Sequence, residues 1–113
     1  YITDPTIFRL VGSVAGLSIL DAGCGNGYLC RLLAKRGAKM IGVDVSKRLV
    51  EIARQKENEA PLGITYHKGS LCNLSMFKDE TFDTVVSNLV LMDLPDLEKA
   101  FQELKRVLKR MED

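Results

Sequence analysis

A glycine-rich turn directly behind a short apolar run is the feature that most constrains the fold of this 113-residue chain. Residues 19–29 read ILDAGCGNGYL, with glycines at positions 23, 25 and 27. Glycine lets the backbone take positive φ angles and lets a ligand approach the main chain closely. In doubly wound sheets, the turn after the first strand lies at the edge where ligands bind. The turn is therefore the first candidate for a binding site.

The hydrophobic pattern alternates between strand-like and helix-like segments. Short apolar runs rich in Ile, Val or Leu are typical of strands buried on both faces of a sheet. These runs lie at residues 18–22, 40–45, 64–67 and 82–89. Strand–helix–strand alternation with short joints favours parallel strands and right-handed crossovers. We therefore predict one α/β domain over residues 1–113, with a doubly wound, mostly parallel sheet and flanking helices.

Apolar residues at three- and four-residue steps predict helices between these runs. The predicted helices cover residues 28–36, a segment after the N-cap Ser46, and a segment from a first turn at Pro95 to Met111. A short helix is expected to end near Leu10. The irregular connection at residues 70–81 is expected to contain one turn near Leu74.

Charge and cysteine content argue against several classes of protein. The net charge of +1 gives no basic footprint for nucleic acid. No stretch approaches the roughly 18 apolar residues of a membrane span, and no signal-peptide pattern opens the chain. The three cysteines are odd in number and lack C-x-x-C spacing, which argues against a disulfide framework and a zinc site. We therefore expect reduced thiols, a cytoplasmic protein and no metal site.

The spacing of the glycines distinguishes between classes of nucleotide site. A Walker A loop requires a Lys after its last glycine, and none follows here. A dinucleotide turn has the spacing Gly-x-Gly-x-x-Gly, which would require a third glycine at position 28, where the chain has Tyr28. The dinucleotide interpretation is weakened but stays open.

Three segments in order resemble the class I S-adenosylmethionine-dependent methyltransferases. Residues 21–27, DAGCGNG, resemble the first motif of that family, and residues 41–46, IGVDVS, resemble the acidic end of its second strand. Residues 82–89, FDTVVSNL, followed by LPD at 94–96, resemble its fourth strand and next helix. Together they cover roughly residues 17–110. The resemblance implies a Rossmann-like fold, S-adenosylmethionine as cofactor, and methyl transfer.

The resemblance also implies which residues hold the cofactor. Asp44, at the end of the second strand, would accept the ribose hydroxyls, as an acidic residue does in dinucleotide sites. Asp21, at the mouth of the turn, would lie under the methionine end, whose ammonium favours a carboxylate. The other positions implied to bind cofactor are Gly23, Cys24, Gly25, Gly27, Val45, Ser70, Leu71, Asn88 and Leu89.

Three of these positions carry more specific expectations. The family often has Asp where this chain has Ser70, so the adenine amino group would meet a neutral, weaker acceptor. The backbone N–H of Leu71 would bind the adenine ring. Asn88 does not begin an Asn-Pro-Pro-Tyr motif, which disfavours methylation of nucleobase or glutamine nitrogen. The acceptor is unidentified, and a small molecule is favoured.

No catalytic residue is predicted, because methyl transfer from a sulfonium needs a base only if the acceptor must lose a proton. His67 is interpreted as structural, and Asp93 as a helix N-cap.

The resembling family continues beyond the helix after its fourth strand, whereas this chain ends there. We expect either a fragment or pairing of the fourth-strand edge with another chain. Two alternatives stay open: a non-catalytic module that binds S-adenosylmethionine or a partner, and a fragment of a dinucleotide-binding oxidoreductase.

Overall fold

A computed structural model describes residues 13–87 and 97–109. The four strands are β1 (Ser18–Ala22), β2 (Lys39–Asp44), β3 (Thr65–Lys68) and β4 (Thr84–Ser87). The three helices are α1 (Tyr28–Ala34), α2 (Lys47–Glu59) and α3 (Leu97–Val107). None of the helices in these ranges combines the length and the apolar character that crossing a membrane requires.

The strands form one parallel sheet in the order β3-β2-β1-β4. The chain moves outward from β1 through β2 to β3 and then returns to the opposite side of β1. The strand order therefore reverses between β1 and β4, which is where ligands bind in doubly wound sheets. The predicted fold class, a doubly wound parallel sheet with flanking helices, is confirmed.

Two hydrophobic clusters cover the two faces of the sheet. One cluster packs Ile19 and Met40 against α1 and α2 through residues such as Leu33 and Val50. The other packs Leu20 and Val43 against α3 and the segment between β3 and β4; its remaining buried members are Ala22, Leu71, Leu74, Phe77, Phe82, Ala100 and Val107. Since side chains alternate along a strand, Asp21 belongs to the α1 face with Ile19.

Several predicted boundaries differ from the structure. The second and third strands each lie one residue away from the predictions, at Lys39–Asp44 and Thr65–Lys68. Helix α1 ends at Ala34 rather than at 36, because the next amides bond three residues back: Arg36 N–H to Leu33 O and Gly37 N–H to Ala34 O.

The fourth strand also begins later than predicted. Its ladder with β1 starts at Thr84, because Phe82 pairs with Leu108 instead. That pairing also ends α3 at Val107, short of the predicted Met111. The predicted positions 88–89, Asp93, Pro95 and Met111 and the expected N-terminal helix lie outside the described residues.

The connection between β3 and β4 has no helix or strand, as predicted for residues 70–81. One turn follows Leu74, where Phe77 N–H donates to Leu74 O at 2.9 Å. Two side chains of α3, Glu103 and Arg106, also hydrogen-bond to this segment.

Candidate functional site

The glycine turn folds over the end of β2. Gly23, Gly25 and Gly27 all have positive φ angles, of 86°, 55° and 85°. The N–H groups of Gly23 and Cys24 both donate to Val43 O, at 2.8 and 3.0 Å. Only glycine takes such angles without steric cost, so the sequence G-x-G-x-G fixes the path of this turn.

Asp44 joins the turn to the beginning of α2. Its Oδ2 accepts a hydrogen bond from Gly25 N–H at 2.9 Å, and its Oδ1 accepts one from Ser46 N–H at 2.8 Å. Ser46 in turn caps α2 by accepting from Leu49 N–H at 3.2 Å. A carboxylate has about four lone-pair positions. Asp44 therefore organises the turn and still has acceptor capacity for a diol.

The amides of the turn are already used within the chain. Five of the six N–H groups from residue 23 to residue 28 donate to protein oxygens; the donors are Gly23, Cys24, Gly25, Gly27 and Tyr28. A phosphate-binding turn works by directing free N–H groups at the anion. The arrangement is therefore unsuited to cradling a phosphate, which argues against both the NTPase and the dinucleotide interpretations.

Asp21 is fully buried behind the turn. The sequence-based prediction that it lies at the mouth of the turn is wrong. Its Oδ2 accepts from the Cys30 thiol at 3.4 Å, and its buried Oδ1 has no hydrogen-bond partner among the described residues. Burial raises the pKa of Asp21 to about 6; the Cys30 hydrogen bond lowers it, and the charge of Asp44 raises it. A buried carboxylate with an unsatisfied oxygen is stabilised by a cation or a donor, so the site fits an ammonium group.

Tyr66 packs against Gly27 of the turn, and it was not among the site residues predicted from the sequence. Its hydroxyl is buried without a partner in the described part of the chain. A Cβ atom built on Gly27 would lie only 2.5 Å from that hydroxyl. Burial raises the pKa of Tyr66. Its polar hydroxyl at an inward-facing strand position is the one sequence signal that could have marked it.

The space above the turn is open at Gly25. A Cβ atom built there would meet nothing within 4 Å, in contrast to Gly27. Gly25 is hydrogen-bonded to Asp44, so this open space lies beside the carboxylate that would accept a diol.

Cys24 contributes backbone rather than a nucleophile. Its side chain is buried, and a Cβ atom on Gly42 would lie 2.8 Å from its Sγ. Burial raises the pKa of the Cys24 thiol to about 12, with smaller contributions from the charges of Asp21 and Asp44. The thiol is neutral at physiological pH and unreactive as a nucleophile.

The residues after β2 and β3 meet at the same edge. Gly69 N–H donates to Asp44 O at 2.9 Å, which brings Ser70 and Leu71 beside the end of β2. Val45 is 64% exposed there, unusually for a valine next to a core strand, and it offers an apolar surface.

Ser70 and Leu71 present different groups to this edge. Ser70 Oγ accepts from Cys72 N–H at 3.0 Å and keeps its own hydrogen to donate. The Leu71 side chain is buried, while its N–H has no recorded partner within residues 13–87 and 97–109.

Two other predictions fall elsewhere. Asn88 and Leu89 lie outside the described residues; they follow Ser87, which pairs with Ala22 next to the turn. His67 is half-buried, with its ring edge-on to Phe77 at 5.4 Å, which agrees with a structural role.

Comparison with known proteins decides the family. A family model described as a methyltransferase domain matches residues 20–111. The chain belongs to this methyltransferase domain family. The resemblance found in the sequence is confirmed, and the cofactor of the family is S-adenosylmethionine.

Individual relatives of this methyltransferase domain support the same family assignment. The chain is 31% identical over 103 residues to a ubiquinone biosynthesis O-methyltransferase from Alkalilimnicola ehrlichii, covering 91% of this chain and 42% of that protein. An S-adenosylmethionine-dependent methyltransferase structure from Mesorhizobium loti is 31% identical, with a TM-score of 0.80, and is matched over 93% of this chain and 47% of its own. The YcgJ protein of Bacillus subtilis is 27% identical, with a TM-score of 0.84 and coverages of 93% and 45%. The chain thus spans less than half the length of each relative.

Alanine substitution at two glycines of the turn should destabilise the protein to different extents. Gly27→Ala is expected to lower the free energy of unfolding by about 3 kcal/mol, because a strained φ angle is combined with a clash against Tyr66. Gly25→Ala should lower it by only about 1 kcal/mol, from the φ angle alone. Urea unfolding of both variants checks this, and equal losses would contradict the packing around Tyr66.

The stability of the domain should depend on pH through Asp21. Its folded-state pKa of about 6 lies above the ordinary value of 3.8, so its contribution is complete below pH 3.8 and is lost as the pH rises through 6. Relative to Asp21→Asn, the parent should lose about 2.5 kcal/mol of unfolding free energy between pH 4 and pH 7.5, since each unit of pKa difference corresponds to about 1.4 kcal/mol and part of the loss occurs below pH 4. Urea unfolding of both proteins across that range measures the difference, and a constant difference would rule out a buried carboxylate of raised pKa.

Proposed function

We propose that this chain binds S-adenosylmethionine at the ends of β1, β2 and β3 and forms the cofactor-binding part of an enzyme that methylates a small molecule. One observation carries the proposal: a turn whose amides are satisfied internally lies between two carboxylates, Asp21 and Asp44. Such a site suits a ligand with a diol and a positive charge and disfavours one with phosphates. S-adenosylmethionine has both features, whereas a nicotinamide dinucleotide has a pyrophosphate.

The two carboxylates have separate roles in this proposal. The half-buried carboxylate of Asp44 accepts the ribose hydroxyls with the lone pairs that Gly25 and Ser46 leave free. The unsatisfied Oδ1 of Asp21 accepts a hydrogen bond from the ammonium group of the methionine end. The ligand passes close to Gly25, where the backbone leaves open space.

The adenine ring lies at the junction of β2 and β3. Val45 offers an exposed apolar surface for one face of the ring. The Ser70 hydroxyl and the Leu71 N–H are proposed to hydrogen-bond its polar edge. Asn88 and Leu89 are proposed to contact the cofactor from the end of the fourth strand.

When bound, the cofactor supplies an activated methyl group on a sulfonium. The contribution of the chain is then to hold that group in line with the acceptor, since alignment can account for much of the rate of such a displacement. No residue of the chain is assigned as a base.

An oxygen atom of a small molecule is the proposed acceptor. The support is the name of the relative from Alkalilimnicola ehrlichii, an O-methyltransferase of ubiquinone biosynthesis. A non-catalytic cofactor-binding module is the second candidate, favoured by the neutral Ser70 where the family often has Asp. Methyl transfer to any acceptor by the protein would reject that second candidate.

We also propose a cytoplasmic location and self-association along the edge of β4. Cys24, Cys30 and Cys72 form no disulfide within the described residues, as is typical of a reducing compartment. Within the described residues, β4 has a strand neighbour on one side only, so a second copy could pair along its other edge.

Cofactor binding should depend on pH only for ligands that carry the amino-acid end. S-adenosylhomocysteine has an ammonium group that favours ionised Asp21, whereas 5′-methylthioadenosine has the same nucleoside and lacks that group. Since the pKa of Asp21 is about 6, the Kd of S-adenosylhomocysteine should rise about tenfold from pH 7 to pH 5, and that of 5′-methylthioadenosine should stay within about twofold. Calorimetric titration of both ligands, with NAD as a control, measures this.

The Asp21→Asn variant completes the experiment. It should bind S-adenosylhomocysteine more weakly at pH 7, with no dependence on pH, and should bind 5′-methylthioadenosine as the parent does. Equal pH profiles for the two ligands would remove the role proposed for Asp21. Preference for NAD, or no binding of either adenosyl ligand, would reject the proposed function.

A further inference from the structure

The segment that carries Ser70 and Leu71 to the cofactor site has few backbone hydrogen bonds of its own. Between β3 and β4, the bonds from backbone to backbone within the segment are Asn73 N–H to Ser70 O at 3.1 Å and Phe77 N–H to Leu74 O at 2.9 Å. The side chains of Ser70, Asn73 and Thr81 add one short-range bond each, to backbone groups two or three residues away. All of these bonds are local, and none joins one end of the segment to the other, so its overall path depends on contacts with other elements.

Arg106 of α3 supplies the largest group of these contacts. Its guanidinium donates to Leu74 O at 2.9 Å, to Phe77 O at 3.0 Å and to Asp79 Oδ1 at 2.8 Å. It also donates to both carboxylate oxygens of Glu103, at 3.0 and 3.1 Å. The side chain is only 29% exposed, so these bonds are partly shielded from water.

Glu103 also binds the backbone of Leu74. Its Oε2 accepts from Leu74 N–H at 2.7 Å while Arg106 donates to Leu74 O, so side chains of α3 bind both backbone groups of this residue. The Leu74 side chain is fully buried in the cluster that also contains Leu71. Leu71 therefore belongs to the same packed cluster as a residue whose backbone α3 holds.

We propose that Arg106 is a positioning residue for the cofactor, because it holds the backbone at Leu74 and Phe77 and thereby keeps Ser70 Oγ and Leu71 N–H where the adenine edge binds. The inference rests on the proposed function and extends it to a residue that does not touch the ligand. A guanidinium is planar and has five donors, so it serves two carbonyls and two carboxylates at once. A lysine has one nitrogen and cannot span these acceptors.

The test compares Arg106→Ala and Arg106→Lys with a matched control, Asp79→Ala. Asp79 is 73% exposed, and its removal takes one surface contact from Arg106 while leaving both carbonyl bonds. S-adenosylhomocysteine and 5′-methylthioadenosine are titrated at 10 °C into each variant, with circular dichroism confirming that it is folded. Hydrogen exchange of the amides of residues 71–77 is measured on the same samples.

Arg106→Ala should raise the Kd of both ligands by about tenfold and by the same factor, because both have the adenine and the defect lies at that end. Arg106→Lys should raise both by about fivefold or more, and it replaces the alanine variant if that protein does not fold. Asp79→Ala should stay within about twofold. Exchange at residues 71–77 should become faster in the Arg106 variants only.

Two results would overturn the proposal. One is a folded Arg106 variant that binds both ligands like the parent. The other is a larger loss for S-adenosylhomocysteine than for 5′-methylthioadenosine, which would indicate a general disturbance reaching the glycine turn. If the parent chain binds neither ligand, the proposed function itself fails, and the cofactor role of Arg106 fails with it.

Discussion

The hydrogen bonds from Asp44 to Gly25 and Ser46 are the interaction on which the rest of the site depends. A turn with three positive φ angles is intrinsically flexible, and it needs an external partner to take one conformation. Asp44 supplies that partner from the neighbouring strand and also fixes the first residue before α2. The turn after β1, the end of β2 and the beginning of α2 are thereby joined through one carboxylate. The same carboxylate occupies the Gly25 amide, and oxygens of Val43, Cys24 and Asn26 occupy four more, so the bonds that build the turn also disfavour a phosphate ligand.

Asp44 stabilises the turn, whereas Asp21 destabilises the folded protein near neutral pH and is explained by ligand binding. Its carboxylate is fully buried, with one oxygen unsatisfied, and burial raises its pKa to about 6. Such a group destabilises the folded protein near neutral pH, where it carries a charge. Unsatisfied groups of this kind are concentrated at binding sites, because a ligand of complementary charge can satisfy them. The surrounding core would favour an apolar residue at this position. The proposed ammonium contact gives a physical reason why an acidic residue occupies it instead.

Much of the fold could be predicted from the sequence because local patterns determine it. The glycines indicated a turn with positive φ angles, the apolar runs located β1 exactly and β2 and β3 to within one residue, and Ser46 marked the beginning of α2. The burial of Asp21 was not predicted, since it depends on α1 packing across β1. The fourth strand was predicted to begin too early, because pairing of Phe82 with Leu108 depends on α3. Tyr66 and Arg106 were missed for the same reason: Arg106 bonds carbonyls 29 and 32 residues away in the chain, and no local pattern encodes such contacts.

The central claim is that one ligand bridges Asp21 and Asp44 across an open Gly25. A crystal structure of the chain with S-adenosylhomocysteine tests it most directly. We predict that the amino nitrogen of the ligand lies within hydrogen-bond distance of Asp21 Oδ1. We also predict that both ribose hydroxyls lie on Asp44 and that the adenine lies against Val45. A ligand bound elsewhere, or one in this site with its amino group pointing away from Asp21, would contradict the account.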